Sequence, residues 1–431
     1  DEYMRERRAD ILDITERLLQ NLNGQELKLP EIVTPSIILA QNLSPSDTMQ
    51  FDSSKVLALV TVQGTANSHA SILARSMGIP MLVGVDLKCV LAKTGMGTHE
   101  DSSGQQGKAD FAIVDALSGQ LILNPDEKTI EDYQRKIEQE QEQKESLQSF
   151  NAFGNTTEQS AKIQICANVG NAAQVKDALE NGADGIGLFR SEYLYLGRKS
   201  LPSEEEQYEE YKRAVIAMGD KRVIIRTLDI GADKQVNYLQ LEQEENPALG
   251  CRGIRVCLRR QDIFRTQLRA LFRAAVHGNL AIMYPMIISV EEVERIAQIV
   301  RDVAGELEVE GVPYRIPPQG AMIETPAAGM ISDELAEMVD FFSIGTNDLA
   351  QYTLAVDRQN SSLDEFYNPH HRAIIKMIQM VTDNAHKAGK WVGICGELAA
   401  DTTLTEQFVN MGVDELSVVP GKVLELKRRT I

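Results

Sequence analysis

Short apolar runs alternate with turns or with longer amphipathic stretches along most of the chain. In the first third these runs lie at residues 32–40, 56–61, 81–85, 112–115 and 120–124. Apolar runs of this length between turns are typical of strands, whereas residues 70–77 have helix-forming side chains. The pattern predicts a compact α/β domain over residues 25–125. Residues 93–110, with four glycines, are expected to form an exposed loop.

Beyond residue 150 a strand-like run is followed by a helix-like stretch eight times. The strand candidates are residues 163–168, 185–190, 223–227, 281–286, 320–324, 341–345, 392–395 and 415–418. Eight strands with helix-length connectors predict a (β/α)8 TIM barrel over residues 151–431. A barrel of this kind carries its chemistry at the carboxyl ends of its strands.

Two more segments have helical patterns. Residues 1–24 repeat apolar side chains at helical spacing, and the chain begins inside that pattern without a methionine, so we expect a fragment of a longer protein. Residues 126–150 are rich in Glu, Gln and Lys with a thin apolar stripe. They form either a solvated helix between two domains or a plain surface helix.

Composition narrows the class of protein. A length of 431 residues favours two or three domains, and a net charge of −19 argues against nucleic acid as a partner. The five cysteines show no zinc-type spacing, which favours a reduced, cytoplasmic protein. The chain has no apolar run long enough for membrane insertion.

One histidine lies where a turn is predicted to become a helix. Gly64 permits the turn, Asn67 or Ser68 can cap the helix, and His69 follows them directly. Unpaired backbone N–H groups at a helix start favour an anion, so His69 is a candidate phosphate carrier. The alternative is a capping loop with an incidental histidine.

The predicted strand ends form a ring that is mostly polar and bears arginines. The residues there are Asn168, Arg190, Arg226, Met286, Glu324, Asn347 with Asp348, Cys395 and Ser417. Arg190 and Arg226 can hold phosphate or carboxylate oxygens with two hydrogen bonds each, although a single arginine is more often a surface ion-pair partner. Arg252, Arg255 and Arg358 lie in later connectors.

Two carboxylates and a thiol complete this predicted ring. Glu324 and Asp348 suit Mg²⁺, which takes oxygen ligands and bridges to substrate phosphates. The alternative is an acid and base pair for sugar chemistry, and the neighbouring arginines favour the metal. Cys395 is either a buried structural thiol or a proton donor at the barrel mouth.

Ordered motifs over the whole chain carry a family resemblance. They are Asn67 to Arg75, Asp184 to Glu192, Arg226 to Lys234, Glu245 to Arg252, Glu324 to Ala328, Phe342 to Leu349 and Cys395 to Leu398. In these motifs the chain resembles the Enzyme I family of the bacterial phosphoenolpyruvate-dependent phosphotransferase system. The resemblance implies an α/β fold in which a swivelling phosphohistidine domain is joined by a helical linker to a (β/α)8 barrel.

The resemblance also assigns domains and partners. Residues 1–24 would be the last helix of a phosphocarrier-binding subdomain, 25–125 the phosphohistidine domain, 126–150 the linker, and 151–431 the phosphoenolpyruvate-binding and dimerisation barrel. The expected partners are phosphoenolpyruvate, pyruvate, a histidine-containing phosphocarrier protein and a second copy of the chain. We expect the linker to act as a swivel, and onward transfer unchanged by a crosslink between the domains would contradict this.

The implied activity is the first step of sugar uptake. His69 would accept the phosphoryl group of phosphoenolpyruvate and pass it to the phosphocarrier, and Cys395 would protonate enolpyruvate. The resemblance places substrate contacts at Arg190, Arg226, Arg252, Lys234, Asn347 and Arg358, and Mg²⁺ ligands at Glu324 and Asp348.

Several alternatives stay open at this point. A pyruvate phosphate dikinase or phosphoenolpyruvate synthase shares such domains, and a regulatory module can keep the fold to sense phosphoenolpyruvate without turnover. Ala66 and Asn67 stand where many sugar-branch members have Arg-Thr, so the sugar and nitrogen-regulatory branches are both possible.

Overall fold

The protein divides into two compact units, Asp1–Glu142 and Gln143–Ile431, in a computed structural model. The structure describes residues 32, 34–43, 51, 55–63, 71, 74, 79–86, 111–116, 118–152, 163–196, 198, 200–231, 237–239, 241–242, 244–358, 360–363 and 365–430. The predicted helix at residues 1–24, the predicted loop at residues 93–110, and His69 lie outside the described residues. The domain bounds given above stay predictions.

The first unit contains two small sheets. Strands β1 (Ser36–Ala40), β2 (Val56–Thr61) and β3 (Met81–Leu82) form a parallel sheet in that order, and β4 (Ala112–Asp115) pairs with β5 (Gln120–Leu123) in an antiparallel hairpin. Each of the five predicted apolar runs therefore contains a strand. The buried side chains of this unit include Leu59 and Ala74, and Ala74 is helical as the sequence predicts.

A long helix, α1 (Glu127–Ala152), covers the segment predicted as a linker. Asp126 caps it, because its Oδ1 accepts a hydrogen bond from the Thr129 N–H at 2.8 Å. A hydrogen bond with the Thr129 side chain, followed by this backbone bond, lowers the pKa of Asp126. The helix prediction is confirmed, and the swivelling role stays a prediction.

The second unit is built around a closed barrel of eight parallel strands. They are β6 (Gln164–Val169), β7 (Ile186–Arg190), β8 (Val223–Arg226), β9 (Leu280–Tyr284), β10 (Gln319–Ile323), β11 (Phe341–Ile344), β12 (Trp391–Ile394) and β13 (Glu415–Val418). The ring follows chain order and closes where Leu416 of β13 pairs with Ile165 of β6. The predicted TIM barrel is confirmed, and every strand bound lies within two residues of the predicted one.

Helices surround the barrel and return the chain to the start of each strand. They are α2 (Gln174–Glu180), α3 (Glu204–Met218), α4 (Ile254–Arg259), α5 (Gln261–Ala274), α6 (Val290–Glu310), α7 (Pro326–Met330), α8 (Ser332–Ala336), α9 (Thr346–Leu354), α10 (Arg372–Lys387), α11 (Thr405–Met411) and α12 (Val423–Thr430). Their apolar faces pack on the outside of the strands in one large buried cluster. Because every strand is parallel, all carboxyl ends lie at one mouth.

An ion pair lies at the opposite end of the barrel, and its carboxylate, Glu415, is buried. Arg222 donates to Glu415 Oε2 at 2.8 Å, and its guanidinium lies over the Trp391 ring. Gly187 is needed beside them, because a Cβ there would collide with the Glu415 carboxylate. The carboxyl ends of the strands lie at the other mouth, where barrels of this kind carry their functional side chains.

No helix among the described residues is long and apolar enough to span a membrane.

Candidate active site at the barrel mouth

Charged side chains that the sequence places at separate strand ends meet at the mouth. Arg226 is the last residue of β8 and is buried, with 7% of its surface exposed. It donates to Glu192 Oε1 at 2.7 Å and lies 3.0 Å from Asp229 Oδ2. Burial by itself would lower the pKa of Arg226, but Glu192 and Asp229 raise it. The guanidinium is therefore fixed and permanently charged.

Arg252 lies on the other side of Asp229. Its Nη2 donates to both Asp229 oxygens at 3.2 and 3.1 Å and to Asp348 Oδ2 at 3.2 Å. Its Nη1 donates to the hydroxyl of Tyr352 at 3.2 Å. Burial opposes the charge of Arg252, but the Asp229 and Asp348 carboxylates keep its pKa raised. Arg226 and Arg252 thus share one carboxylate and are held side by side.

Two other arginines are less engaged. Arg190 ends β7 and is half-buried, and its side chain makes neither a hydrogen bond nor an ion pair with the part of the chain that the structure describes. Arg358 follows α9, and its Nε lies 3.6 Å from Asp348 Oδ1 with a third of the side chain exposed. Both guanidinium groups therefore have hydrogen-bond donors left for an anionic ligand.

The two predicted metal ligands are both buried. Glu324 is 1% exposed, and its Oε1 accepts a hydrogen bond from the Met286 N–H at 2.6 Å. Burial, followed by repulsion from Asp348 and Asp229, raises the pKa of Glu324 to about 8. Asp348 Oδ1 has no hydrogen-bond partner among the described residues. A cation bound between Glu324 and Asp348 would therefore stabilise the charged forms of both carboxyl groups.

The donor set suits Mg²⁺ bound together with a substrate. Among the described residues no group of three or more His, Cys, Asp or Glu side chains is arranged for a metal. Mg²⁺ keeps several waters and is commonly held by one or two carboxylates plus substrate phosphate oxygens. Glu324 and Asp348 therefore fit the ion, and they do not form a complete protein cage for it.

A strained backbone supports Glu324. Met286 has φ of 58°, in the left-handed region that residues other than glycine rarely adopt. Its N–H group is the one that donates to Glu324. This conformation also explains why β9 ends at Tyr284, two residues before the end that the sequence predicts.

Cys395 is a buried thiol just past the end of β12. It is 4% exposed, and burial raises the pKa of its thiol to about 11. Its N–H donates to the Ile344 carbonyl at 3.1 Å, and its Sγ lies 3.7 Å from the same oxygen. The thiol is thus protonated at neutral pH, as a proton donor must be.

We expect Cys395 to resist alkylation at pH 8. The thiolate is the reacting form, and a pKa of about 11 instead of 9.0 leaves about a hundredth of the thiolate at that pH. Iodoacetamide should therefore modify Cys395 at least about 100-fold more slowly than an exposed thiol, with a rate that rises about tenfold per pH unit up to pH 11. Timed alkylation with peptide mass analysis measures this, and Cys395→Ser identifies the peptide. A rate that stays flat between pH 8 and pH 10 would contradict it.

Asn347 lies in the first turn of α9, which follows β11 directly. Its Oδ1 accepts from the Glu397 N–H at 2.8 Å, and its Nδ2 donates to Glu397 Oε1 at 3.3 Å. Asn347 is therefore held against the segment that carries Cys395. Lys234 lies outside the described residues.

The structure adds site residues whose roles are not predictable from the motifs. Glu192 and Asp229 fall within the quoted motifs, but their function as partners of the arginines is not visible there. Asp229 follows Arg226 by three residues, so this spacing offered a signal for that pair. Tyr352 contacts Arg252, 100 residues away, and local spacing offered no signal for it. Glu192 and Met286 offered none, because their contacts depend on barrel closure.

Comparisons with known proteins show the family of the chain. The family model described as "PEP-utilising enzyme, PEP-binding domain" matches residues 144–431, and the one described as "PEP-utilising enzyme, mobile domain" matches residues 32–119. The chain is 42% identical over 429 residues to the phosphoenolpyruvate-protein phosphotransferase of Priestia megaterium, covering 99% of this chain and 72% of that protein. It is 42% identical over 431 residues to that of Staphylococcus aureus, covering 100% and 73%.

Among solved structures, a HpcH/Hpal aldolase/citrate lyase family protein from Burkholderia cenocepacia J2315 aligns with a TM-score of 0.40. The identity is 12%, and the alignment covers 62% of this chain and 92% of that one.

Proposed function

Since the chain belongs to the PEP-utilising enzymes, and among them to the phosphoenolpyruvate-protein phosphotransferases, we propose that His69 takes the phosphoryl group of phosphoenolpyruvate bound at the barrel mouth. The activity is phosphoenolpyruvate-dependent phosphotransfer, and the chain is an enzyme. The dikinase and sensor alternatives are not favoured by the named relatives. The observation that carries the proposal is the group of arginines and carboxylates around Asp229 and Asp348.

The proposed substrate contacts depend on which arginines have unused hydrogen-bond donors and which are paired with carboxylates. Phosphoenolpyruvate carries a phosphate and a carboxylate, both of which suit guanidinium groups. Arg190 and Arg358, which keep unused donors, would bind these anionic groups. Arg226 and Arg252 would be held in place beside the substrate by their buried carboxylate partners. Asn347 and Lys234 are proposed to line the same pocket. Fixed positive charge aimed at phosphoryl oxygens stabilises the loose transition state of phosphoryl transfer.

The proposed reaction breaks one bond to phosphorus and forms another. A neutral ring nitrogen of His69 attacks the phosphorus in line, and the bond from phosphorus to the enol oxygen breaks. The released electron pair becomes the carbonyl of pyruvate as C3 takes a proton from the Cys395 thiol. The thiolate then regains a proton from solvent. Protonation at carbon makes the transfer strongly downhill.

Glu324 and Asp348 are the residues proposed to hold Mg²⁺. The bound ion would neutralise charge on the oxygens of the transferred group. Glu324 is pre-oriented by the Met286 N–H, and Asp348 by Arg252.

Replacing a metal ligand is expected to raise the Mg²⁺ requirement. Asp348→Asn removes the charge but keeps the shape, so the Mg²⁺ concentration for half-maximal phosphorylation should rise at least about tenfold. Calorimetric titration with Mg²⁺ in the presence of pyruvate measures the binding directly. The matched control is Asp333→Asn, at an exposed position in the first turn of α8, which should leave both values unchanged. An unchanged Mg²⁺ requirement in Asp348→Asn would rule out the assignment.

The proposed function is tested by incubating the chain with phosphoenolpyruvate and Mg²⁺ and measuring its intact mass. We expect one phosphoryl group per chain, lost in acid, and one pyruvate per group. Binding of phosphoenolpyruvate without a mass gain would instead support a sensor.

The onward steps are proposed from the family. The phosphoryl group would pass to a histidine-containing phosphocarrier protein, which begins sugar uptake. We further propose a homodimer formed through the barrel and a cytoplasmic location, where the four described cysteines, all free, would stay reduced.

A further inference from the structure

Asn168 joins three strands at the mouth of the barrel. It lies near the end of β6 and pairs with Leu188, which belongs to the buried cluster that includes Cys395. Its Nδ2 donates to the Cys395 carbonyl at 3.2 Å and to the Ser417 carbonyl at 3.1 Å. Its Oδ1 accepts from Ser417 Oγ at 2.6 Å. One side chain therefore links β6 both to the segment just after β12 and to β13.

These bonds leave Asn168 little capacity for a ligand. An amide has two N–H donors, and both are committed to protein carbonyls. A substrate-binding asparagine would keep a donor for the anion. The side chain is nevertheless half-buried at the mouth, close to the proposed chemistry.

The bond to Cys395 has a geometric consequence. The Cys395 N–H is held by the Ile344 carbonyl, and the Cys395 carbonyl is held by Asn168. Fixing the peptide groups on both sides of one Cα fixes φ and ψ there, and with them the direction of the Cα–Cβ bond. The next residue, Gly396, is tightly packed, because a Cβ there would collide with Thr346.

We propose that Asn168 is a positioning residue for the proton-donating thiol of Cys395. The inference rests on the proposed function. The step it serves breaks the S–H bond of Cys395, forms the C–H bond at C3 of enolpyruvate, and turns the enol oxygen into the pyruvate carbonyl. Misplacement of a reacting group by about 1 Å costs on the order of 100-fold in rate, so one lost anchor is enough to matter.

The test separates phosphoryl transfer from protonation in a single turnover. The whole chain is mixed with phosphoenolpyruvate and Mg²⁺, and phosphorylated chain and pyruvate are measured by rapid quench in the same samples. In the unmodified chain the two should appear together. In Asn168→Ala, enolpyruvate should leave unprotonated, so pyruvate formation should lag behind phosphorylation by at least about tenfold. The phosphoenolpyruvate concentration that gives a half-maximal rate of phosphorylation, the KM of this step, should change less than about twofold.

Two further variants serve as a positive and a negative control. Cys395→Ala should show the same lag, and Ser417→Ala, which removes one bond to Asn168 but keeps the Asn168 donors, should show none. If Asn168→Ala does not fold, Asn168→Ser, with a single donor, takes its place and should show a smaller lag.

The other outcomes would contradict the positioning role of Asn168, the acid role of Cys395 or the proposed function. No lag in Asn168→Ala with a lag in Cys395→Ala would remove the positioning role alone. A KM that rises as much as the lag would make Asn168 a substrate contact instead. No lag in Cys395→Ala would remove the acid role, and an unmodified chain that takes no phosphoryl group would remove the proposed function; the positioning role falls in both cases.

Discussion

The His69→Ala chain is expected to gain no phosphoryl group from phosphoenolpyruvate and Mg²⁺. The proposed acceptor is a ring nitrogen of that histidine, and alanine offers no nucleophile in its place. The expected loss is complete, because the bond to phosphorus has nowhere else to form. Intact mass before and after acid treatment measures it, since a phosphorus–nitrogen bond breaks in acid while a phosphate ester survives.

The matched control is another histidine of the same chain. His277 lies at the surface of the barrel unit, where its Nε2 is 3.0 Å from the Tyr208 hydroxyl. His277→Ala should be phosphorylated as fully as the unmodified chain. An acid-labile phosphoryl group on His69→Ala would show that another residue is the acceptor.

Removing Arg226 is expected to damage both stability and binding, whereas removing Arg190 damages binding alone. Arg226→Ala leaves Glu192 buried without its partner and leaves Asp229 with Arg252 alone, which costs about 3–5 kcal/mol of unfolding free energy. Arg190 has no ion-pair partner among the described residues, so Arg190→Ala should cost no more than about 0.5 kcal/mol. Each variant loses a guanidinium, and phosphoenolpyruvate should bind at least about tenfold more weakly.

The single tryptophan makes this contrast measurable. Trp391 lies in β12 and stacks on Phe341 at 4.4 Å, so its fluorescence reports unfolding of the barrel unit in urea. Calorimetry with phosphoenolpyruvate gives the binding loss. Equal destabilisation in the two variants would contradict the distinct roles assigned to Arg190 and Arg226.

Local pattern was sufficient for the architecture. Each barrel strand is a run of four to six residues flanked by turns, and the strand bounds follow the apolar run closely. Helix α1 was also predictable, because Asp126 caps it and its charged composition needs no buried partner. The motifs carried the family resemblance, and the relatives confirm the family.

Pairings across the barrel were not predictable. Arg252 and Asp348 are 96 residues apart, and Asn168 and Cys395 are 227 apart, so no local spacing signals their contact. The same is true of Glu192 with Arg226, 34 residues apart. Which arginine is engaged, and which keeps donors for a ligand, depends on the register of neighbouring strands.

The sequence by itself therefore determined the eight strands, their order, the long helix and the residue types at the strand ends, because these depend on side-chain periodicity over a few residues. Tertiary structure alone decided which charges are neutralised, why Glu324 has its raised pKa, and how Cys395 is anchored. Burial and distance between remote side chains set those properties. Both arise only when the barrel closes and excludes water from its interior.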